Sequence, residues 1–311
     1  YMITSFFKTS KPIHYIIFSI VLMSLFFHQR IFVSDFESTL SNYLNEGACL
    51  LVVIASFFAL IFIVTKNNLT QNNSFAALFF CLFVGVFPQI LDYTPTLTAN
   101  LFILLSLRRI VSLKNKVNIK KKILDATLWI CLATLFDSFS IFFFAPLIIG
   151  LALYSVFEIK NILIPLFGIF AFVTLWVSFS FVVHDQLPNI YQYLPSLSFE
   201  VQDFILKKHT GFSLFITIVI LFGIINYFLS GFLKNRLNRP SLVLLIFIIV
   251  ISFWAFLCSH TESNELYVFV VAPLAILMAN FSETTKFRWM NDLIIVSLFI
   301  VTALQIPFNI S

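Results

Sequence analysis

The chain has 311 residues, of which 60% are hydrophobic and only 11% charged, and it carries a net charge of +5. Soluble domains carry about 25% charged residues, so this composition excludes an ordinary water-soluble globule. The Lys and Arg residues lie in short gaps between apolar stretches, which excludes a nucleic-acid footprint and points them at anionic lipid headgroups.

Hydropathy divides the chain into eleven apolar segments: 12–27, 48–65, 75–91, 96–107, 123–136, 139–157, 162–183, 212–232, 241–258, 266–281 and 292–308. Several reach the ~17–25 residues that a spanning helix needs. Segments 96–107 and 123–136 are shorter, and are expected to be half-buried or broken helices, or to extend into flanking polar residues that protein shields. The first segment lacks a small-residue cleavage site and runs into His28-Gln29-Arg30, so it reads as a retained span and not a leader. The expected fold is all-α: a single transmembrane domain over 1–311 with about eleven spans.

Charge supplies an independent check. With the N-terminus placed in the cytoplasm and the gaps taken in turn, sixteen of the nineteen Lys and Arg fall inside, leaving only Arg30, Lys207 and Lys208 outside. This is the positive-inside pattern of a multi-pass protein of a cytoplasmic membrane. The loop 108–122 holds seven basic residues and no acid, and reads as a topology anchor.

Two polar stretches are expected to be amphipathic helices on the outer surface. In 35–47, Phe36, Leu40, Tyr43 and Leu44 share one face; Ser34 can cap the start and Gly47 can end it. In 197–208 the run from Phe199 to Leu206 has apolar residues at helical spacing. Cys49, Cys81, Cys131 and Cys258 lie in or beside apolar segments without paired spacing, so they read as packing residues, with no metal and no cofactor expected.

Acids run opposite to bases, with ten of fourteen outside: Asp35, Glu37, Glu46, Asp92, Asp137, Asp185, Glu200, Asp203, Glu262 and Glu265. Asp35 and Glu37 closely follow the first span, Asp92 occupies a sharp turn before Tyr93-Thr94-Pro95, and Asp137 has no polar loop on either side. An ionisable group at such depth is costly unless it is paired or faces water, which makes it a site candidate. A weak internal echo links Asp137 with Ala145-Pro146-Leu147 to Glu265 with Ala272-Pro273-Leu274.

The order of these features resembles the GT-C superfamily of polytopic membrane glycosyltransferases that use lipid-linked sugars. Ser34-Asp35-Phe36-Glu37 matches the acidic motif after the family's first span. The stretch from Phe87 to Arg108-Arg109 matches the acid-bearing turn followed by a long helix ending in basic residues; Leu124–Tyr154 matches the next hairpin. In composition the chain also resembles uncharacterised Bacteroidota inner-membrane proteins. It departs from GT-C in its short first outer loop, 28–47, and its few outer basic residues. The resemblance implies a polyprenyl-phosphate sugar as donor and Asp35 as general base, with Glu37 and Asp92 orienting and Asp137 supporting the site floor. It places Arg30, Tyr93, Lys207, Lys208 and His260 on the substrate. The alternatives are a non-catalytic integral subunit of an envelope assembly, which needs membrane protein partners and no reactive acid, and a transporter.

The charge pattern yields a test of topology. A cysteine placed at Lys116 is expected to react with a membrane-impermeant maleimide only after the membrane is opened, and labelling in intact cells would overturn the inside assignment.

Overall fold

The computed structural model describes residues 6–33, 40–92, 94–185, 187–189, 193–195, 239–258, 264–284 and 288–308, and among these every regular element is helical. Ten α-helices are described: α1 Pro12–His28, α2 Leu40–Asn67, α3 Phe75–Val86, α4 Thr94–Val111, α5 Ile119–Phe136, α6 Phe144–Leu153, α7 Ile159–His184, α8 Arg239–Leu257, α9 Val268–Thr284 and α10 Arg288–Phe308. Six helical stretches are long and apolar enough to cross a membrane, and three shorter apolar ones accompany them. Each expected apolar segment within the described residues is a helix or a helix with a 3-10 extension; segment 212–232 and the surface helix at 197–208 lie outside them.

The two short segments are longer than hydropathy suggested. α4 begins at Thr94 and continues through Arg108 and Arg109 to Val111; α5 begins at Ile119 and carries three lysines in its first turns. Protein shields the added polar residues. The Arg108 guanidinium lies 4.4 Å from the centre of the Phe62 ring, and Arg109 pairs with Asp125 of α5 at 2.9 Å. The α4–α5 hairpin is further closed by Phe102 stacked on Trp129, centroids 5.7 Å apart. A second difference concerns Gly47, expected to end a surface helix. Residues 40–47 instead form the first turns of α2, which runs through Gly47 without a break.

α3 is the centre of the bundle. All twelve of its side chains are buried, and α9, which packs along it, buries most of its own. A helix hydrophobic all round belongs inside. α1, α2 and α10 pack against the rest of α3 and α8 against α9, while α7 leaves a row including Leu166, Phe167, Phe170 and Phe179 exposed.

Contacts between distant residues define two ends. At one end His14 meets Ser74 (2.9 Å), Tyr154 meets Ser241 (2.9 Å), and Asn291 donates to the Ser282 carbonyl (2.9 Å). At the other end Gln29 meets Asp92, and the Phe87 and Tyr267 rings lie 5.4 Å apart. Because the helices alternate in direction, every described Lys and Arg except Arg30 falls at or near the first end, which is the basic end. Asp92, Asp137, Glu46, Asp185 and Glu265 belong to the second, acidic end.

α6 approaches α4 closely at Gly150, where an added Cβ would stand 2.5 Å from Ile110 Cγ2. Ile110 is 3% exposed and branched at Cβ, which holds the clashing Cγ2 methyl in place and leaves it little room to yield. Gly150→Ala is therefore expected to destabilise by about 1–3 kcal/mol. Thermal melts should also show the double variant Gly150→Ala/Ile110→Ala costing less than the two single costs added, because the second change empties the space that the first needs.

Candidate functional site

Three tight turns build the acidic end, each placing one carboxylate. α3 ends at Val86 and the chain makes a 3-10 turn, Pro88–Leu91, with Asp92 as its C-terminal cap. α5 ends at Phe136, and Asp137 then stands in extended conformation ahead of the 3-10 turn Ser138–Phe143, which feeds α6. The third turn, Asn264–Tyr267, contains Glu265 and feeds α9. Pro88 suits a first-turn position, where its missing N–H is no loss. The turns at 88–91 and 264–267 pack on one another.

A fourth element closes the group. After α1 the chain loosens into a π-helical turn, Gln29–Val33, which brings in Gln29 and Arg30. Such turns are frequent at functional sites. Gln29 is 1% exposed, and its Nε2 donates to both oxygens of Asp92, at 2.9 and 3.0 Å. Its Oε1 finds no hydrogen-bond partner among the described residues. Arg30 reaches back to α2, pairing through Nε with Glu46 Oε2 at 3.0 Å, donating to Cys49 Sγ at 3.6 Å and lying over the Phe26 ring at 5.6 Å.

The electrostatics follow from burial and crowding. Burial pushes the Asp92 carboxyl above its ordinary value, against the Gln29 amide and the Arg30 charge, which both favour the ionised form. Asp137 is pushed up to about 6, chiefly by burial; the Phe139 and Ser140 N–H groups and the Ser140 hydroxyl, 3.4 Å away, offset this in part. The charges of Asp92 and Asp137 both reach Glu265. Three carboxylates far apart in sequence thus share one end of the bundle. They do not form a cage: among the described residues no three His, Cys, Asp or Glu side chains are placed to hold a metal ion. Tyr267, two residues beyond Glu265, is buried between the rings of Phe87 and Phe256, and its hydroxyl has no partner among the described residues.

Of the residues singled out from sequence, Asp92, Asp137 and Arg30 stand at this end. Arg30 faces Glu46, a partner that the sequence did not assign to it. Asp35, Glu37, Tyr93, Lys207, Lys208 and His260 lie outside the described residues. Gln29 and Glu265 are additions. Glu265 was one of the ten outer acids and shared the Ala-Pro-Leu echo with Asp137, and both acids prove to stand at a 3-10 turn leading into a proline-bearing helix. Gln29 had no signal beyond its place after the first span.

An all-helical bundle with several long apolar helices, one basic end and one acidic end fits a multi-pass membrane protein. Comparison with known proteins adds no relative: no protein-family model, no curated protein and no solved structure matches the chain.

Asp137 gives a pH signature. Its folded-state value of about 6 exceeds the ordinary 3.8, so the folded protein holds this proton more tightly than the unfolded chain. The associated stability is complete below about pH 4 and is lost as pH rises through 6. Asp137→Asn, which has no charge to bury, is expected to melt higher than the wild type at pH 7, with the gap closing toward pH 4. A gap independent of pH would show that the carboxyl is not buried in this way.

Proposed function

We propose that the chain is a polytopic glycosyltransferase of a bacterial inner membrane, with about eleven spans in a GT-C-like arrangement and the acidic end at the extracytoplasmic face. Its donor is a polyprenyl-phosphate sugar. The observation that carries this reading is the gathering of Asp92, Asp137 and Glu265 at the end opposite the basic residues, beside the flanks of the segment bearing Asp35 and Glu37.

The chemistry suits that place. An acceptor hydroxyl attacks the anomeric carbon of the donor; the new glycosidic C–O bond forms, the bond from that carbon to the phosphate oxygen breaks, and polyprenyl phosphate leaves with the electron pair. The hydroxyl proton passes to a carboxylate acting as general base. Asp35 holds that role by its match to the family motif, with Glu37 and Asp92 orienting the acceptor and Asp137 beneath them. The grip of Gln29 on both Asp92 oxygens fixes that carboxylate, as an orienting group requires. Arg30, with Lys207 and Lys208, supplies positive charge for the departing phosphate, the kind of stabilisation that favours a developing anion.

Asp35→Asn is close in shape and cannot accept the proton, so it is expected to slow sugar transfer from the polyprenyl-phosphate donor by ~10²–10⁴-fold while membrane insertion and melting temperature stay unchanged. Release of polyprenyl phosphate from labelled donor in reconstituted vesicles measures it. Full transfer by both Asp35→Asn and Asp137→Asn would remove the enzymatic reading and leave a non-catalytic integral subunit in its place.

A further inference from the structure

The basic end holds a shallow, open cleft between the start of α1, the end of α2 and the start of α3. Its lining is part apolar, from Ile61, Val64, Ala76 and Ala77, and part polar, from Thr65, Asn68, Thr70 and Asn72. We propose that this cleft binds the headgroup of an anionic phospholipid, with phosphate and glycerol hydroxyls at the polar part of the lining and the start of the acyl chains on the apolar part.

Three features specify the ligand. The first is charge. Lys8, Lys11 and Lys66 are all exposed and flank the lining residues Ser10 and Thr65 in sequence. The opposing acid, Glu283, is already engaged by the Gln71 N–H at 2.9 Å and by the Asn73 amide, so it braces the 70–74 loop. A polar pocket with basic residues at the boundary of a membrane bundle is the usual setting for an anionic headgroup.

The second is donor supply. The first turn of a helix has no internal carbonyls for its N–H groups. In α3 the Phe75 N–H goes to Asn73 Oδ1 at 3.2 Å and the Leu78 N–H to the Ser74 carbonyl; Ala76 and Ala77 belong to that first turn and line the cleft. The positive end of α3 thus adds to the charge of lysines that neighbour the lining residues in sequence.

The third is the apolar part. Free phosphate has no use for a lining of alkyl groups, whereas a lipid does. α2 also leaves Phe58 and Phe62 exposed, 49% and 41%, beside the turn that carries Ile61 and Thr65. This inference rests on the membrane reading alone; the cleft stands at the end opposite the carboxylates, so it survives failure of the glycosyltransfer proposal.

The test is native mass spectrometry of the full-length protein in detergent, titrated with phosphatidylglycerol or phosphatidylcholine. Wild type is expected to retain phosphatidylglycerol about tenfold better or more. Each lysine near an anionic surface contributes about fivefold, so Lys8→Gln/Lys11→Gln/Lys66→Gln should abolish that preference. Thr65→Trp and Asn72→Trp, made separately at exposed positions, fill the cleft without changing charge and should lower phosphatidylglycerol retention to the phosphatidylcholine level; melting curves confirm that each is folded. Equal retention of the two lipids by wild type would overturn the proposal. So would folded tryptophan variants that keep the full preference, which would assign it to diffuse surface charge. Displacement of the lipid by millimolar inorganic phosphate would also overturn it, by making the site one for free phosphate.

Discussion

The packing of α3 against α9 is the contact on which the rest of the molecule depends. α3 has no face for lipid or water, and α9 has almost none, so their shared surface is the interior about which α1, α2, α8 and α10 are arranged. The pair is antiparallel, and the turn leaving α3 therefore meets the turn entering α9. Phe87 and Tyr267 pin that meeting point, with Phe256 of α8 closing over Tyr267 at a centroid distance of 4.5 Å. Asp92 and Glu265 are carried on those turns, and their proximity is a result of core packing. Pro273 inside α9 removes one backbone donor, a change tolerated where neighbouring helices enclose the backbone.

Charge placement follows from the same enclosure. Apolar surroundings demand that backbone polar groups be satisfied within helices, so polar side chains collect where helices stop. The two ends handle this differently. The basic end pairs its groups, as in Arg109 with Asp125 and Glu283 with the 70–74 loop. The acidic end pairs Gln29 with Asp92 and Arg30 with Glu46, yet gathers three carboxylates. Both ends keep buried polar atoms without a partner among the described residues, Gln29 Oε1 and the Tyr267 hydroxyl at one, His14 Nε2 and Asn291 Oδ1 at the other. Carboxylates gathered in this way cost stability when ionised together, and that gathering is what distinguishes the acidic end.

Much of this was legible in the sequence. Apolar runs marked the helices, because a helix in apolar surroundings must be apolar over its length, and the sidedness of Lys and Arg gave the alternation of ends. Helix limits were read poorly where a polar residue is shielded by a neighbour distant in sequence, as Arg108 is by Phe62. Gly47 illustrates the converse: glycine permits a helix stop, but does not force one when the helix has packing to continue along. At the acidic end, Asp92 and Asp137 stood out because each adjoins apolar chain on both sides. Gln29 was invisible, since its role is set by a partner 63 positions away. The Arg30–Glu46 pair depends likewise on how α1 and α2 are mutually placed.

The tight turns also bear on reach. At about 1.5 Å per residue the twelve residues of α3 extend roughly 18 Å, well short of the ~30 Å hydrocarbon layer of a typical bilayer. A 3-10 turn rises about 2.0 Å per residue, so Pro88–Leu91 adds some 8 Å while using only four residues. Stretching the backbone in this way lets a short central helix approach the thickness of the barrier around it. It brings Asp92 to the level at which α1 ends, where Gln29 grips its carboxylate. Since α3 supplies the shortest apolar path between the two ends, the steepest part of any transmembrane field would fall across it.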